Sequence, residues 1–192
     1  TYNSIYNNSG NGLNIKNNNN LRIYTNTITF NSLNGTLLTN SSNNTIYNNY
    51  FSNNTMNAYD DNNTNFWNTS LRQFYVNDDP EDNLIYNIIG SNWFGGNFWS
   101  TYNGSDLNGD GIGDSANVTI PGGYSTDYLP LTPNLAGCGN ISRSVTLIQN
   151  LTVNGSCFII TGNNLVIDFA GHYLTGNGTG TAIEFRNANN SY

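Results

Sequence analysis

The chain has 192 residues, with 5 Lys and Arg against 12 Asp and Glu, a net charge of -7. An acidic surface repels phosphate backbones, which excludes nucleic acid as a partner. Charged residues make up only 9% and asparagine stands in their place at 42 positions; no run of about 18 apolar residues offers a membrane span.

An Asn-rich, weakly charged chain invites a reading as a disordered tract. Against it stand 13 Tyr, 9 Phe and 3 Trp, and regularly spaced Ile and Leu. From Thr1 to about Asn68 the residues recur with a period of about 23. Asn3, Asn26 and Asn49 align, as do Ile5, Ile28 and Phe51, then Asn8, Asn31 and Asn54, then Asn11, Asn34 and Asn57, then Gly12, Gly35 and Ala58. Within each copy apolar and polar residues alternate in short patches, which predicts strands of about three to five residues with one face buried. Asn, Ser and Gly between them tolerate left-handed backbone. A coil of about 23 residues with three short strands is one turn of a parallel β-helix, an all-β solenoid. The rival leucine-rich repeat lacks its Leu-x-x-Leu-x-Leu frame. Stacked coils place the aligned asparagines above one another, where their amides bond as ladders.

From Phe66 to Pro133 the period is lost. "NDDPEDN" (Asn77 to Asn83) reads as an acidic turn or loop. Trp93, Phe94, Phe98, Trp99 and Tyr102 then cluster. They are expected to plug the open end of the solenoid; the alternative is a sugar-stacking platform built on Trp93, Trp99 and Tyr102. "DLNGDGIGD" follows, with Asp106, Asn108, Asp110 and Asp114 at alternate positions or nearly so. This matches the first part of a calcium loop, with Ile112 giving a backbone carbonyl. The terminal bidentate Glu of an EF-hand is missing, and Asp127 is the expected substitute. Ca2+ is therefore the cofactor expected here.

Beyond a linker at Pro133 to Asn140, the patches "SVTLI", "LTV", "CFII", "LVIDF", "HYLT" and "AIEF" alternate again, as a second β-helix begins. Cys138 and Cys157 are the only cysteines. They predict one disulfide stapling its first coil, and an oxidising compartment. Fourteen sequons mark glycosylation candidates: Asn7, Asn34, Asn40, Asn43, Asn53, Asn62, Asn68, Asn103, Asn117, Asn140, Asn150, Asn154, Asn177 and Asn189. The chain starts at Thr1 rather than Met and ends within a coil, as if processed or cut from something longer.

Two stretches carry a resemblance. "GGNFWSTYNGSDLNGDGIGD" followed by "NVTIPGGYSTDYLPL" resembles the closing segment of right-handed parallel β-helix proteins of the pectate-lyase-like superfamily. "CGNISRSVTLIQNLTVNGSCFIITGNNLVIDFAGHYLTG" resembles their opening coils. Asn-rich surface proteins of archaea belong to that group, as do periplasmic proteins of copper-site assembly. The resemblance implies a right-handed parallel β-helix outside the cell or at its surface. It divides the chain into later coils (1–70), a closing segment (71–133) and the opening coils of a next β-helix (134–192). Copper handling is implied by the family alone. His172 and Met56 are the single residues of their kinds, and a copper site needs several such ligands together.

Closing coils thus precede opening coils. "AIEFRNANNSY" aligns with "GLNIKNNNNLR", placing Ile183 with Leu13, Phe185 with Ile15 and Arg186 with Lys16. The end of one copy would then continue into the start of the next, with Ile183, Phe185 and Tyr192 meeting Thr1, Tyr2 and Ile5. The expected function is structural: one repeat or subunit of a head-to-tail filament, sheath or S-layer-like array, partnered by copies of itself. The alternative is a carbohydrate-binding or adhesion module. An enzyme is the weakest reading. Sugar cleavage needs paired carboxylates, and Asp60, Asp61, Asp78, Asp79, Glu81 and Asp82 lie in turns with only Arg72 nearby. Asp168 reads as structural.

Overall fold

The computed structural model describes residues 2–62, 64–73 and 86–189. Thr1, Tyr192 and the stretch Asn77 to Asn83, with Asp78, Asp79, Glu81 and Asp82, lie outside the described residues. Every regular element described is a β-strand, and the strands wind as a parallel β-helix. The chain forms two compact units. The first comprises Thr1–Gln73, Phe94–Asn103 and Ala116–Leu131; the second comprises Phe74–Trp93, Gly104–Ser115 and Thr132–Tyr192. The expected closing segment 71–133 is therefore shared between the two.

In the first unit, three strands make each coil. The first coil holds β1 (Ser4–Tyr6), β2 (Leu13–Lys16) and β3 (Arg22–Tyr24); the second holds β4 (Thr27–Thr29), β5 (Asn34–Thr39) and β6 (Thr45–Tyr47). The third holds β7 (Tyr50–Ser52) and β8 (Met56–Asp60). β9 (Arg72–Gln73) follows, and β10 (Trp93–Phe94) lies where the chain passes from one unit to the other. β11 (Phe98–Trp99), β12 (Val118–Thr119) and β13 (Thr126–Asp127) complete the unit. Like strands pair in parallel: Ile5 lies on Ile28, Ile28 on Phe51 and Ile23 on Ile46. The inward columns Ile28, Leu38, Ile46 and Phe51 have no exposed surface. Each such side chain contributes about 1.5–3 kcal/mol.

Asparagine fixes the corners. Asn3 donates its side-chain amide to Oδ1 of Asn26 at 3.1 Å, and Asn26 to Oδ1 of Asn49 at 2.9 Å. The column does not end where the sequence period ends. Asn49 donates onward to Oδ1 of Asn97 at 3.0 Å, 48 residues later. β11 then lies on β7, with Phe98 on Tyr50 and Trp99 on Phe51. A second column runs Asn8, Asn31, Asn54 at 2.8 Å per rung.

The third coil departs from the expected register. Met56, not Asn57, pairs with Asn34, and Ala58 pairs with Thr36 rather than with Gly35. By Asn44 and Asn65 the rung spans 21 residues. The expected columns Asn11–Asn34–Asn57 and Gly12–Gly35–Ala58 are therefore right for two coils and one residue out in the third. The glycine corner is equally tight at both steps: a Cβ on Gly12 would lie 2.7 Å from the Gly35 carbonyl oxygen, and one on Gly35 2.5 Å from that of Asn57. The shortened turn also brings Asp60, rather than Asp61, opposite Leu38.

In the second unit, β14 (Asn134–Leu135), β16 (Val145–Leu147) and β19 (Ile167–Asp168) form one sheet. β15 (Gly139–Ile141), β18 (Phe158–Ile160) and β21 (Ile183–Phe185) form another, and β17 (Leu151–Val153) pairs with β20 (Leu174–Gly176). Leu135, Ile141, Leu147, Phe158 and Ile160 make its core. Cys138 and Cys157 are joined by a disulfide, tying the residues that precede β15 and β18.

Asn49 is the test of the corner columns. It accepts from Asn26 and donates to the carbonyls of Ile23 and Tyr47. Asn49→Ala leaves several buried groups unpaired and is expected to cost about 3 kcal/mol in urea unfolding, whereas Asn14→Ala on the exposed face stays within about 0.5 kcal/mol.

Candidate assembly edges and the Asp/Gly loop

The Asp/Gly loop belongs to the second unit and lies against its first coil. Asp106 bridges to Leu135 in parallel, accepting from the Ala136 N–H and donating to the Asn134 carbonyl. The approach is close: a Cβ on Gly139 would sit 1.7 Å from the Asn108 carbonyl oxygen. The loop thus underlies an opening coil.

Its oxygens turn inward to the loop's own backbone. Asp106 Oδ1 accepts from the N–H of Asn108 and Gly109, and Oδ2 from Gly111. Asn108 Oδ1 accepts from Asp110 N–H, Asp110 Oδ1 from Ile112 N–H, and Asp114 Oδ2 from Leu107 N–H. The cation in the loop is Arg143. Its Nη2 donates to Asp106 Oδ2 at 2.6 Å and to the Thr132 carbonyl at 3.0 Å, while Nη1 donates to the Gly109 carbonyl at 3.0 Å. Both partners of the ion pair are buried. Burial pushes the Arg143 guanidinium below its ordinary range, opposed by the Asp106 charge. Burial also pushes Asp110 up to about 6, helped by repulsion from Asp106 and Asp114.

The expected Ca2+ site is corrected by this geometry. A guanidinium already neutralises Asp106 and takes the loop's Gly109 carbonyl, so the donors do not converge on a metal. Asp127 is not the missing ligand either. It lies in the first unit, buried, accepting from Asn97 N–H at 2.7 Å and from the Trp99 indole N–H at 2.8 Å. Burial drives its pKa up to about 7 against those hydrogen bonds.

Two aromatics of the cluster continue stacks of the first unit. Trp99 is buried and stacks on Phe51, ring centroids 4.6 Å apart; Phe98 stacks on Tyr50 at 4.2 Å. Trp99 therefore has no face to offer a sugar. Asp60, missed as a structural group, is its counterpart. It is fully buried and accepts from the Trp67 indole N–H, the Asn65 amide and the Ser125 hydroxyl. Asp61 accepts from the Asn40 N–H of the preceding coil, and Asp168 from Ala170 N–H as a turn former.

What remains open is the edges of the coils. β1, β2 and β3 stand at the margins of their sheets. Ile5, Leu13, Ile15 and Ile23 are half-buried there, over a hollow of about 230 Å³. Their neighbours one coil on, Ile28, Leu38 and Ile46, are wholly buried. In the second unit β19, β20 and β21 are likewise marginal. Phe185 is 53% exposed although Ile160, the residue it pairs with, is 0%. Of the expected seam residues, Ile5, Tyr2, Ile183 and Phe185 are thus placed on or beside open edges.

Comparison with protein families matches residues 1–104 to the family described as periplasmic copper-binding protein (NosD). The chain belongs to that family. No curated protein and no solved structure matches it. The donors do not fit the copper of the family's description. His172 Nδ1 lies 3.3 Å from Asn150 Oδ1 in the second unit, Met56 is in the first, and both cysteines are in the disulfide. Among the described residues no three His, Cys, Asp or Glu stand together to hold a metal.

Removing the internal cation is the test of the loop. Arg143→Met leaves Asp106 buried and unpaired, and is expected to cost about 3–5 kcal/mol. In the parent chain, added calcium and added chelator are both expected to leave the thermal midpoint unchanged; a chelator-sensitive midpoint would restore a metal to the loop.

Proposed function

We propose that the chain is a structural protein of the cell exterior, one repeat or subunit of a head-to-tail filament, sheath or S-layer-like surface array. The observation that carries this is the pair of open coil edges. One unit ends in a half-buried apolar layer at β1–β3, and the other in a half-buried layer at β19–β21. A solenoid with an open edge presents unpaired N–H and C=O groups and apolar side chains at once, and another coil satisfies both. The two edges are different surfaces, so the contact is heterologous and propagates rather than closing. Tandem copies in one polypeptide and separate chains use the same stacking.

Two findings support that compartment. The family's description is periplasmic. The Cys138–Cys157 disulfide needs an oxidising environment. Among the described residues no helix is long and apolar enough to cross a membrane. Of the sequons, Asn7, Asn43, Asn53, Asn103, Asn117, Asn140, Asn150, Asn154, Asn177 and Asn189 are exposed and open to glycans, whereas the exposed Asn40 donates its amide to Asn17. Asn34 is half-buried and donates its amide to Asn11, so a glycan there would break a corner rung. In this reading the chain performs no catalysis: Asp60, Asp106 and Asp127 are spent on Trp67, Arg143 and Trp99.

Sedimentation velocity and negative-stain microscopy over rising concentration test the proposal. Rods that lengthen end to end are expected, and Ile15→Asp, which puts a charge on the open edge, is expected to leave monomers. A parent chain that stays a monodisperse 21.1 kDa species at every concentration contradicts it.

A further inference from the structure

Six asparagines stand directly before a glycine: Asn11, Asn34, Asn103, Asn108, Asn154 and Asn177. An asparagine so placed is open to attack by its own chain. The next main-chain nitrogen closes on the side-chain Cγ, and glycine eases the approach because no Cβ stands in the way. The fold decides which of the six are held back. The Gly12 N–H donates to the Asn34 carbonyl at 2.8 Å, and the Gly109 N–H to Asp106 Oδ1 at 2.6 Å, so both nitrogens are occupied. Asn34 lies within β5 and donates its amide to Asn11 Oδ1, while Gly35 lies close under the Asn57 carbonyl. Gly104, which follows Asn103, is buried.

Asn177 is different. It follows β20 in an exposed turn, and its Oδ1 accepts from both the N–H and the hydroxyl of Thr179, at 3.2 and 2.7 Å. Two donors on one amide oxygen draw electrons from Cγ. They are already in place for the negative charge that grows on that oxygen when Cγ is attacked. Among the described residues nothing bonds Asn177 Nδ2 or the Gly178 N–H. Gly178 has φ 89° and open space on the side where a Cβ would stand, so the turn has room to rotate. Asn154 ranks second. It is exposed and Gly155 has φ 99°, but no donor sits on its Oδ1. A Cβ on Gly180 would lie 2.4 Å from the Gly155 carbonyl carbon, so that turn is held by its neighbour.

We infer that Asn177 is a site of spontaneous covalent modification, in which its side-chain amide is lost by cyclisation onto the main chain of Gly178. The Gly178 nitrogen bonds to Cγ and the Cγ–Nδ2 bond breaks. Nδ2 leaves as ammonia, taking the proton that the Gly178 nitrogen gives up. Solvent water then opens the succinimide ring at either carbonyl. Opening at Cγ leaves an aspartate at position 177; opening at the main-chain carbonyl leaves an isoaspartate, with the chain running through the former side chain. Either product adds one negative charge to a chain that carries -7. The isoaspartyl product also lengthens the main chain by one carbon just after β20, where the Asn177 N–H donates to the Val153 carbonyl at 3.2 Å. Asn177 also opens a sequon. A glycan takes Nδ2, the nitrogen that must leave, so glycan attachment and cyclisation compete for one atom.

Peptide mapping by mass spectrometry follows the reaction in the unglycosylated full chain, kept folded in mildly alkaline buffer. Loss of ammonia and gain of water raise the mass of a peptide by about 1 Da. Conversion is expected first at Asn177 and more slowly at Asn154, with Asn11, Asn34 and Asn108 unconverted while the chain stays folded. In urea the six sites are expected to converge on similar rates, because the fold makes the difference between them. Thr179→Val removes the hydroxyl donor alone. It is expected to slow conversion at Asn177 about fivefold, the worth of one hydrogen bond, and to leave Asn154 unchanged. A folded chain in which Asn177 converts no faster than Asn11 or Asn34 overturns the site. An unchanged rate in Thr179→Val overturns the part given to the hydroxyl.

Discussion

An asparagine amide facing the inside of a coil corner has no water to bond. It must find a donor or acceptor on the coil above or below, and it finds one only when the coils are in register. Asn3, Asn26, Asn49 and Asn97 meet this condition in one continuous column. Asn26, Asn49 and Asn97 also donate to backbone carbonyls, as Asn49 does to Ile23 and Tyr47. The column therefore holds the strands at a fixed height, and the apolar stacks of Ile28, Leu38, Ile46 and Phe51 follow from that alignment. Few charges are needed because the amides do the work of polarity inside, which explains a protein that is 9% charged and so rich in asparagine.

The same demand explains the buried carboxylates. Where an inward column stops being apolar, an acid terminates it and is satisfied by a fixed donor. Asp60 takes the Trp67 indole, and Asp127 takes the Trp99 indole together with the backbone of Asn97. In the second unit Asp106 takes Arg143. Each of these ends is closed by chemistry internal to the chain. The β1–β3 and β19–β21 edges have no such terminator among the described residues; they end in half-buried isoleucine, leucine and phenylalanine. In the assembly proposed above, those margins are the ones on which a further coil would stack.

The fold was legible because the period is written in residue types with strong positional meaning: asparagine at corners, β-branched and aromatic residues inward. The disulfide was legible from two cysteines in a chain with no others. The third-coil slip was not legible, because "NTMNA" (Asn54 to Ala58) matches "NSLNG" (Asn31 to Gly35) residue for residue at the unshifted period of 23. Asn97 was missed as a rung, although "NFWS" repeats "NYFS" at Asn49 to Ser52. A 48-residue excursion hid it from a search for a fixed period. The calcium reading failed for a different reason. Spacing within "DLNGDGIGD" describes a loop that wraps a cation, and the loop does wrap one. The cation is Arg143, 29 residues beyond Asp114, which no local pattern could supply.

The central proposal is that coils of another copy stack on the β1–β3 and β19–β21 margins of this segment. Amide hydrogen exchange, read strand by strand in dilute solution and again after concentration, tests it most directly. The account predicts that β4, β7, β16 and β18 are protected in both states, while β1–β3 and β19–β21 exchange quickly when dilute and gain the protection of the core on concentration. Margins that are as protected as β4 in the dilute chain, or that stay unprotected at every concentration, would contradict it.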